Sequence, residues 1–341
     1  MGIRILKAGM LTTVQDLGRT GYQSQGFSVA GVMDVRSFKI ANLLLDNPEN
    51  EAVLEFTLMG PTLEFTSETI IAITGGDFQP TINGKPAPMY TAIYMNRGDV
   101  LKFSSARTGS RGYIAFSCYL DIPVVMGSRC TNLKSKIGGL KGRKLMDGDY
   151  IGFRIKRRYL PFFLSRTLDL DEFDQEEATV RVVMGPQDKM FSKQGIETFL
   201  NSEYTVTSDF DRMGCRMEGP YIARKENADM ISDGIAFGSI QVPAHGKPIV
   251  LLADRQTTGG YPKIATVASV DIPKIVQRKT DHKVRFQAIT VQEAQKLYLE
   301  EEKELLAMRS QIHTPCKEVL ECRLVAKRLT KLLTLANETQ R

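Results

Sequence analysis

The sequence has no apolar run of the ~18 residues that a membrane-spanning helix needs. Its first ten residues place Arg4 and Lys7 among apolar neighbours. A secretory signal carries an uninterrupted apolar core, so no signal is read here and the expected compartment is the cytoplasm. Cysteine and histidine are scarce, with five and three residues. The cysteines stand at 118, 130, 215, 316 and 322; their number is odd, and no two form a C-x-x-C pair. Free buried thiols in a reducing compartment are the expected state. Zinc takes several Cys or His ligands at short spacing. His245, His282 and His313 are scattered, so no metal site is expected. Also missing are a G-x-x-x-x-G-K-[ST] phosphate loop, a strand-borne G-x-G-x-x-G, H-E-x-x-H and the G-x-S-x-G nucleophile elbow. Any use of ATP therefore goes through an unorthodox site or a partner. There is no Met-Lys-Met biotinyl-lysine site, so the chain does not itself carry biotin.

The chain has 341 residues and a mass of 38.1 kDa, which suits two domains of ordinary size. Hydrophobic residues make up 42% and charged residues 25%, a globular composition that argues against disorder throughout. The net charge of +6 is mild, and the basic residues do not cluster as in a nucleic-acid binder. The one dense run, Lys156 to Arg158, leads into an acidic stretch, Asp169 to Glu177, and reads as a solvated linker.

Most of the chain reads as short strands and turns. Val53 to Leu58 is closed by Gly60-Pro61, and Leu63 to Phe65 and Thr69 to Thr74 follow in the same style. Asn83-Gly84 marks a hairpin. Leu101 to Phe103, Tyr113 to Phe116 and Tyr150 to Phe153 continue the series, which suggests a sandwich or barrel. One helix interrupts it: apolar residues recur from Met33 to Leu45, and Asn47-Pro48 stops them. The composition shift at 156–178 marks a boundary, and a second β-rich stretch follows to about Ile289. The pattern D-[LF]-x-R-x-G occurs twice, at Asp16 to Gly21 and Asp209 to Gly214, the trace expected if the two halves are related. The expected organisation is an N-terminal unit (1–160), a linker (161–178), a second unit (179–290) and an amphipathic helical tail (291–341). Thr290 and Glu293 form a capping box. Apolar residues at 291, 294, 298, 305, 308 and 312 resume at 319, 322, 326, 329, 333 and 336 beyond a hinge at Pro315. These helices pack on their own domain or on each other, or form a coiled-coil contact with a partner.

Chemistry-bearing residues gather in glycine-punctuated clusters. Asp16 and Arg19 either pair with each other or leave Arg19 free to offer its fork to a carboxylate or phosphate. Asp34 opens the predicted helix, where capping is the plain reading. Asp209, Asp211 and Arg212 are close enough for an internal ion pair. Gln241 follows Gly238-Ser239-Ile240. The densest cluster runs from Asp254 and Arg255 through Gln256, Thr257, Thr258, Gly259 and Gly260 to Tyr261, a loop able to grip a small polar ligand. His245, nearby, is more simply structural than an acid–base group.

The segments LTTVQDLGRTGYQ, AGVMD, EFTLMGPTLEF, MGSRCTN, DRMGCRMEGP and SDGIAFGSIQVPAHGKPIVLLADRQTTGGYPKIATV occur in order over residues 1–297. Together they resemble the biotin-dependent carboxyltransferase, or allophanate hydrolase subunit 2, family. Its small members include the C subunit of 5-oxoprolinase, also called KipA. The resemblance implies a mainly β fold of two cyclophilin-like barrels, here with a helical C-terminal tail. It implies a heteromeric complex with a KipI-type protein like the B subunit of 5-oxoprolinase and a further protein like the A subunit. That complex would hydrolyse 5-oxo-L-proline to L-glutamate with ATP. The alternatives are carboxyl transfer from a biotin carrier, as in urea carboxylase, or antagonism of a histidine-kinase inhibitor. The matching positions nominate Arg19, Asp34, Arg212 and Asp254 for catalysis. They nominate Gln241, Gln256, Thr257, Thr258, Gly260 and Tyr261 for substrate binding. Two departures stand out: Ser117-Cys118-Tyr119-Leu120 precedes Asp121-Ile122-Pro123 where the family has a glycine pair, and the tail after about residue 300 exceeds the family's usual end.

Overall fold

In the computed structural model, residues 1–170, 173, 175–225 and 230–315 are described. The fold is mainly β. The first β region is built from two sheets. One has six strands in the order Tyr150–Gly152, Gly2–Lys7, Thr62–Phe65, Val100–Lys102, Thr81–Ile82 and Lys85–Pro86. The other has five, in the order Leu11–Gln15, Val53–Thr57, Thr108–Phe116, Thr69–Asp77 and Ala92–Met95. Alternation drives their packing. Ile3, Ile5, Leu63, Phe65, Leu101 and Ile151 of the first sheet share one buried core with Leu54, Phe56, Ile71, Ile73, Ile114 and Phe116 of the second. The Asn83-Gly84 turn joins the short hairpin as its sequence demands, with both residues at positive φ.

The expected first helix is α1 (Val35–Leu44), capped by Asp34 and buried against the outer face of the five-stranded sheet. The second β region closes into a seven-stranded barrel. Its order is Glu177–Met184, Lys263–Val267, Ser239–Gln241, Ile249–Leu251, Gly214–Glu218, Glu203–Phe210 and Lys283–Ala288. A parallel pairing of Glu177–Met184 with Lys283–Ala288 completes the ring. Its core holds Val180, Val182, Tyr204, Val206, Ile240, Val250, Ile264 and Phe286, with Phe199 from α2 (Lys193–Asn201). Met33 of the first region and Ile272, Ile275 and Val276 around α3 (Ile272–Val276) join the same core, so the two regions share apolar contacts.

The segment around Arg166, read as linker, lies against the first region. Arg166 is fully buried; it donates to the carbonyls of Pro161 (2.8 Å) and Leu44 (2.9 Å) and pairs with Asp46. Helix α4 (Val291–Ile312) starts at the predicted capping box, Thr290 and Glu293. Its C-terminal half packs on α1 through Leu305, Met308 and Ile312, while Val291 and Tyr298 of the same apolar series are exposed. The continuation read beyond Pro315, with Cys316 and Cys322, lies outside the described residues. Cys118, Cys130 and Cys215 are free and buried. Among the described residues, no helix is long and apolar enough to cross a membrane.

Candidate functional site

The second D-[LF]-x-R-x-G segment turns Arg212 into the molecule. Asp211 makes the turn by accepting from the backbone N–H groups of Met213 (2.8 Å) and Gly214 (3.0 Å). Its side chain is therefore spent on the backbone, and the local ion pair expected from sequence does not form. Backbone bonds from Leu252 to Met213 (2.9 Å) and from Asp254 to Arg212 (2.8 Å) set Asp254 beside Arg212. The guanidinium grips that carboxylate in bidentate fashion, at 3.1 Å from Nε and 3.0 Å from Nη2. It also reaches across to the first β region, where Nη1 pairs with Glu55 and Nη2 donates to the Gly31 carbonyl. Glu55 in turn accepts from the Met33 N–H (2.8 Å) and the Tyr113 hydroxyl (2.9 Å). Burial works against the Arg212 charge, but Asp254 and Glu55 outweigh it and hold the guanidinium charged above its ordinary range. Burial and the neighbouring Glu55 and Asp34 charges keep Tyr113 protonated well beyond the usual phenol range.

Gln277, just after α3, makes the second link between the regions. Its Oε1 accepts from the backbone of Ser110 (3.0 Å) and Arg111 (2.9 Å). Its Nε2 donates to the Arg111 carbonyl (3.1 Å) and to Asp34 (2.8 Å). Asp34 is wholly buried and also accepts from Ser37 N (2.9 Å) and Ser37 Oγ (2.7 Å). The structure thus gives Asp34, Arg212 and Asp254 bracing contacts between the two β regions.

Arg19 sits differently. Asp16 does not pair with it, because that carboxylate is occupied by Ser128 Oγ (2.6 Å), Arg129 N (2.6 Å) and Gly18 N (2.8 Å). Only 1% of Arg19 is exposed, and among the described residues its one side-chain hydrogen bond runs from Nη2 to the Cys130 carbonyl (2.8 Å). Nε and Nη1 are buried without partners.

At the barrel, a cleft of about 230 Å³ is lined by Asp211, Met213, Gly214, Arg216, Gln241, Ile249, Leu251, Arg255, Gln256 and Tyr261. Sheet register explains the grouping. Gly214 pairs with Leu251, Arg216 with Ile249, and Ile249 with Gln241, so one alternating face of three strands meets the Arg255–Tyr261 loop. Gln241 is buried and donates to the Tyr261 carbonyl (3.3 Å). A Cβ on Gly259 would lie 2.9 Å from the Gln256 amide nitrogen and 3.0 Å from that of Gln241, so glycine there lets the two carboxamides converge. Arg255 lies over the Phe237 ring at 5.5 Å and donates to the carbonyls of Ile235 and Leu252, and burial lowers its pKa.

Of the sequence-nominated residues, Gln241, Gln256 and Tyr261 line this cleft. Thr258 and Gly259 pair instead with the strand Asp233–Gly234, and the Thr257 carbonyl accepts from Ile235. Gly260 is exposed, with Met230 and Ser232 nearest. Arg19, Asp34 and Arg212 do not line the cleft, and Asp254 adjoins it in sequence only through Arg255. His245 is exposed, its Nδ1 accepting from Lys247 N (3.2 Å). Sequence reasoning missed Arg216 and Ile249; their signal was the i, i+2 alternation on paired strands. Among the described residues no group of His, Cys, Asp and Glu is placed to hold a metal ion.

A two-sheet β region bolted to a closed barrel through Arg212 and Gln277 matches a known architecture. The carboxyltransferase domain family, subdomain A and B, matches residues 25–288, and the chain belongs to it. The C subunit of 5-oxoprolinase from Haemophilus influenzae is 34% identical over 295 residues, covering 86% of this chain and 94% of that protein. The C subunit of Escherichia coli 5-oxoprolinase is likewise 34% identical, over 86% of this chain and 93% of its own length. The crystal structure of K. lactis urea amidolyase superposes with a TM-score of 0.83 at 27% identity, over 90% of this chain; the chain spans 20% of that much longer protein. The chain is therefore similar both to separate subunits and to one segment of a multidomain enzyme.

Proposed function

We propose that this chain is the C subunit of a 5-oxoprolinase, acting with partners of the A and B types to hydrolyse 5-oxo-L-proline to L-glutamate with ATP. The observation that carries this reading is likeness at nearly full length, 94% of the Haemophilus influenzae protein, to a separate polypeptide of that name. The barrel cleft suits the substrate class. A lactam is a cis amide, with N–H and C=O side by side, and a Gln carboxamide offers the complementary pair. Gln241 and Gln256 converge there, with Tyr261 at the rim.

Opening this unstrained lactam is uphill, which is the reason for coupling to ATP. In the proposed course the γ-phosphoryl group passes to the lactam oxygen. ADP leaves, water adds to the activated carbon, and the C–N bond opens as the ring nitrogen takes a proton, giving the γ-glutamyl phosphate; a second water then releases phosphate and leaves L-glutamate. Donors fixed in advance stabilise the charge that develops. ATP would be held through the complex; no residue of this chain is assigned to it.

The test is to isolate the full chain with its native partners and assay glutamate formation from 5-oxo-L-proline. Formation that needs both ATP and this chain is the expected result. An intact complex that forms no glutamate overturns the reading. The similarity to urea amidolyase supports one alternative, carboxyl transfer from a biotin carried on another chain. Inhibition by avidin and a copurifying biotinylated protein would mark that case. A chain that binds a KipI-type partner tightly and turns over no lactam would mark the regulatory one.

A further inference from the structure

We propose that Arg19 is the receptor for a small carboxylate. Buried arginines are almost always paired or fully hydrogen-bonded, because an uncompensated charge in the interior is expensive. Among the described residues, Arg166, the other arginine under 2% exposed, follows that rule with two carbonyls and Asp46; Arg111, 3% exposed, bends it, with one orphaned Nε but bonds to Ser110 and Val276 and the Phe210 ring against its guanidinium. Arg212, nearly as buried, follows it with Asp254, Glu55 and Gly31. Arg19 does not. Among the described residues it has no carboxylate partner, and Cys130 O takes one Nη2–H bond. The Nε–H and both Nη1–H bonds are left without acceptors.

The surroundings explain why nothing internal fills that gap. The nearest acid in sequence, Asp16, is already taken by Ser128, Arg129 and Gly18. Gly138 borders the guanidinium so closely that a Cβ there would lie 2.5 Å from Arg19 Nη2, so any side chain would crowd the group. Arg19 belongs to a loop from Gly18 to Gly31, tied by Arg19 N to the Val29 carbonyl (2.8 Å) and exposed at its tip from Gln23 to Gly26. The free N–H bonds lie on two edges of the guanidinium. A planar carboxylate chelates one edge together with the remaining Nη2–H, and water can cover the other. A fork of this shape selects carboxylate geometry over a single-point anion.

The class of ligand follows from Arg19 alone. Its identification with the carboxylate of 5-oxo-L-proline rests on the activity proposed above and is an alternative to the seat at Gln241 and Gln256, since Arg19 does not line that cleft; bicarbonate or a transferred carboxyl group has the same chemistry.

The experiment uses the full chain and four probes: acetate, bicarbonate, 5-oxo-L-proline and 5-oxo-L-prolinamide, which lacks the carboxylate. Affinities are read by titration calorimetry and by the shift in Tm. The acid should bind and the amide should not. Arg19→Gln and Arg19→Lys should each weaken the acid by about tenfold or more. Arg19→Lys keeps the charge but loses the fork. Equal binding of acid and amide, wild-type affinity in Arg19→Lys, or no carboxylate binding at all would overturn the proposal. If neither variant folds, the Arg19 Nε–H resonance of the wild type decides, and its failure to move on adding acetate is equally fatal. Acetate and bicarbonate binding through Arg19 without 5-oxo-L-proline binding would keep the carboxylate site and remove the lactam reading.

Discussion

Arg19 and Arg212 stand at the same place in two occurrences of one short pattern, yet one is saturated and the other is not. Arg212 contacts two carboxylates and a carbonyl drawn from both β regions. Among the described residues Arg19 makes a single side-chain hydrogen bond. The two meet structurally at Gly31, whose carbonyl serves Arg212 and where a Cβ would lie 2.8 Å from the nitrogen of Gly18, the residue before Arg19. An arginine with internal acids on every side holds the fold together. An arginine of the same sequence context without them is available for a ligand. The chemical environment, rather than the motif, separates the roles.

The largest test of this contrast is Arg212→Met. It strands Asp254 and Glu55 in the interior, and losing one partner of a buried ion pair costs about 3–5 kcal/mol. Urea unfolding should show that loss, and an unchanged midpoint would remove Arg212 from its bracing role. The companion link is Gln277. Gln277→Ala leaves two backbone N–H groups and Asp34 short of partners, for an expected loss of about 2–3 kcal/mol. If Gln277→Ala and Arg212→Met proved additive to within experimental error in a double-mutant cycle, the two links would be independent rather than parts of one seam.

A smaller effect is expected where the arginine leans mainly on carbonyls. Asp46→Asn removes the one acid at Arg166 but keeps its shape, and should cost about 1–2 kcal/mol. Burial works against the Asp46 charge, but Arg166 and His313 overcome it and hold the carboxyl below its ordinary value. The unfolded carboxyl therefore protonates first, so the stabilisation is complete above its unfolded pKa of about 4 and is lost as pH falls further. Wild type and Asp46→Asn should converge in stability on acidification. A gap that stays constant to the lowest pH at which the protein folds would contradict that account.

Much of the frame was legible because it is local. The strands at Val53–Thr57, Thr62–Phe65 and Thr69–Asp77, the Asn83-Gly84 turn, the Asp34 cap and the Thr290 capping box each depend on residues within a few positions. The seam was not. Glu55 sits in an apolar strand, and its partner Arg212 lies 157 residues away. Gln277 follows a short helix, and its partner Asp34 is 243 residues away. No period or spacing encodes such pairs. The cleft was half legible: the Gln256–Tyr261 loop announced itself by composition, whereas Arg216 and Ile249 entered through strand pairing that only the fold supplies.

The smallest stability effect should come from Arg19 itself, and its smallness is the point. Arg19→Met removes a buried cation that has no counter-charge among the described residues, so in ligand-free buffer the desolvation cost relieved should offset the lost Cys130 hydrogen bond. Replacing buried charges with apolar side chains of similar volume is often neutral or stabilising. The expected change is within about 1 kcal/mol, against the several lost at Arg212. Saturating acetate should then reverse the order, because a ligand that binds only the native wild type adds stability as its concentration exceeds Kd. A loss at Arg19 as large as that at Arg212, unaffected by acetate, would mean that both arginines are braces and that the contrast between them is only one of geometry.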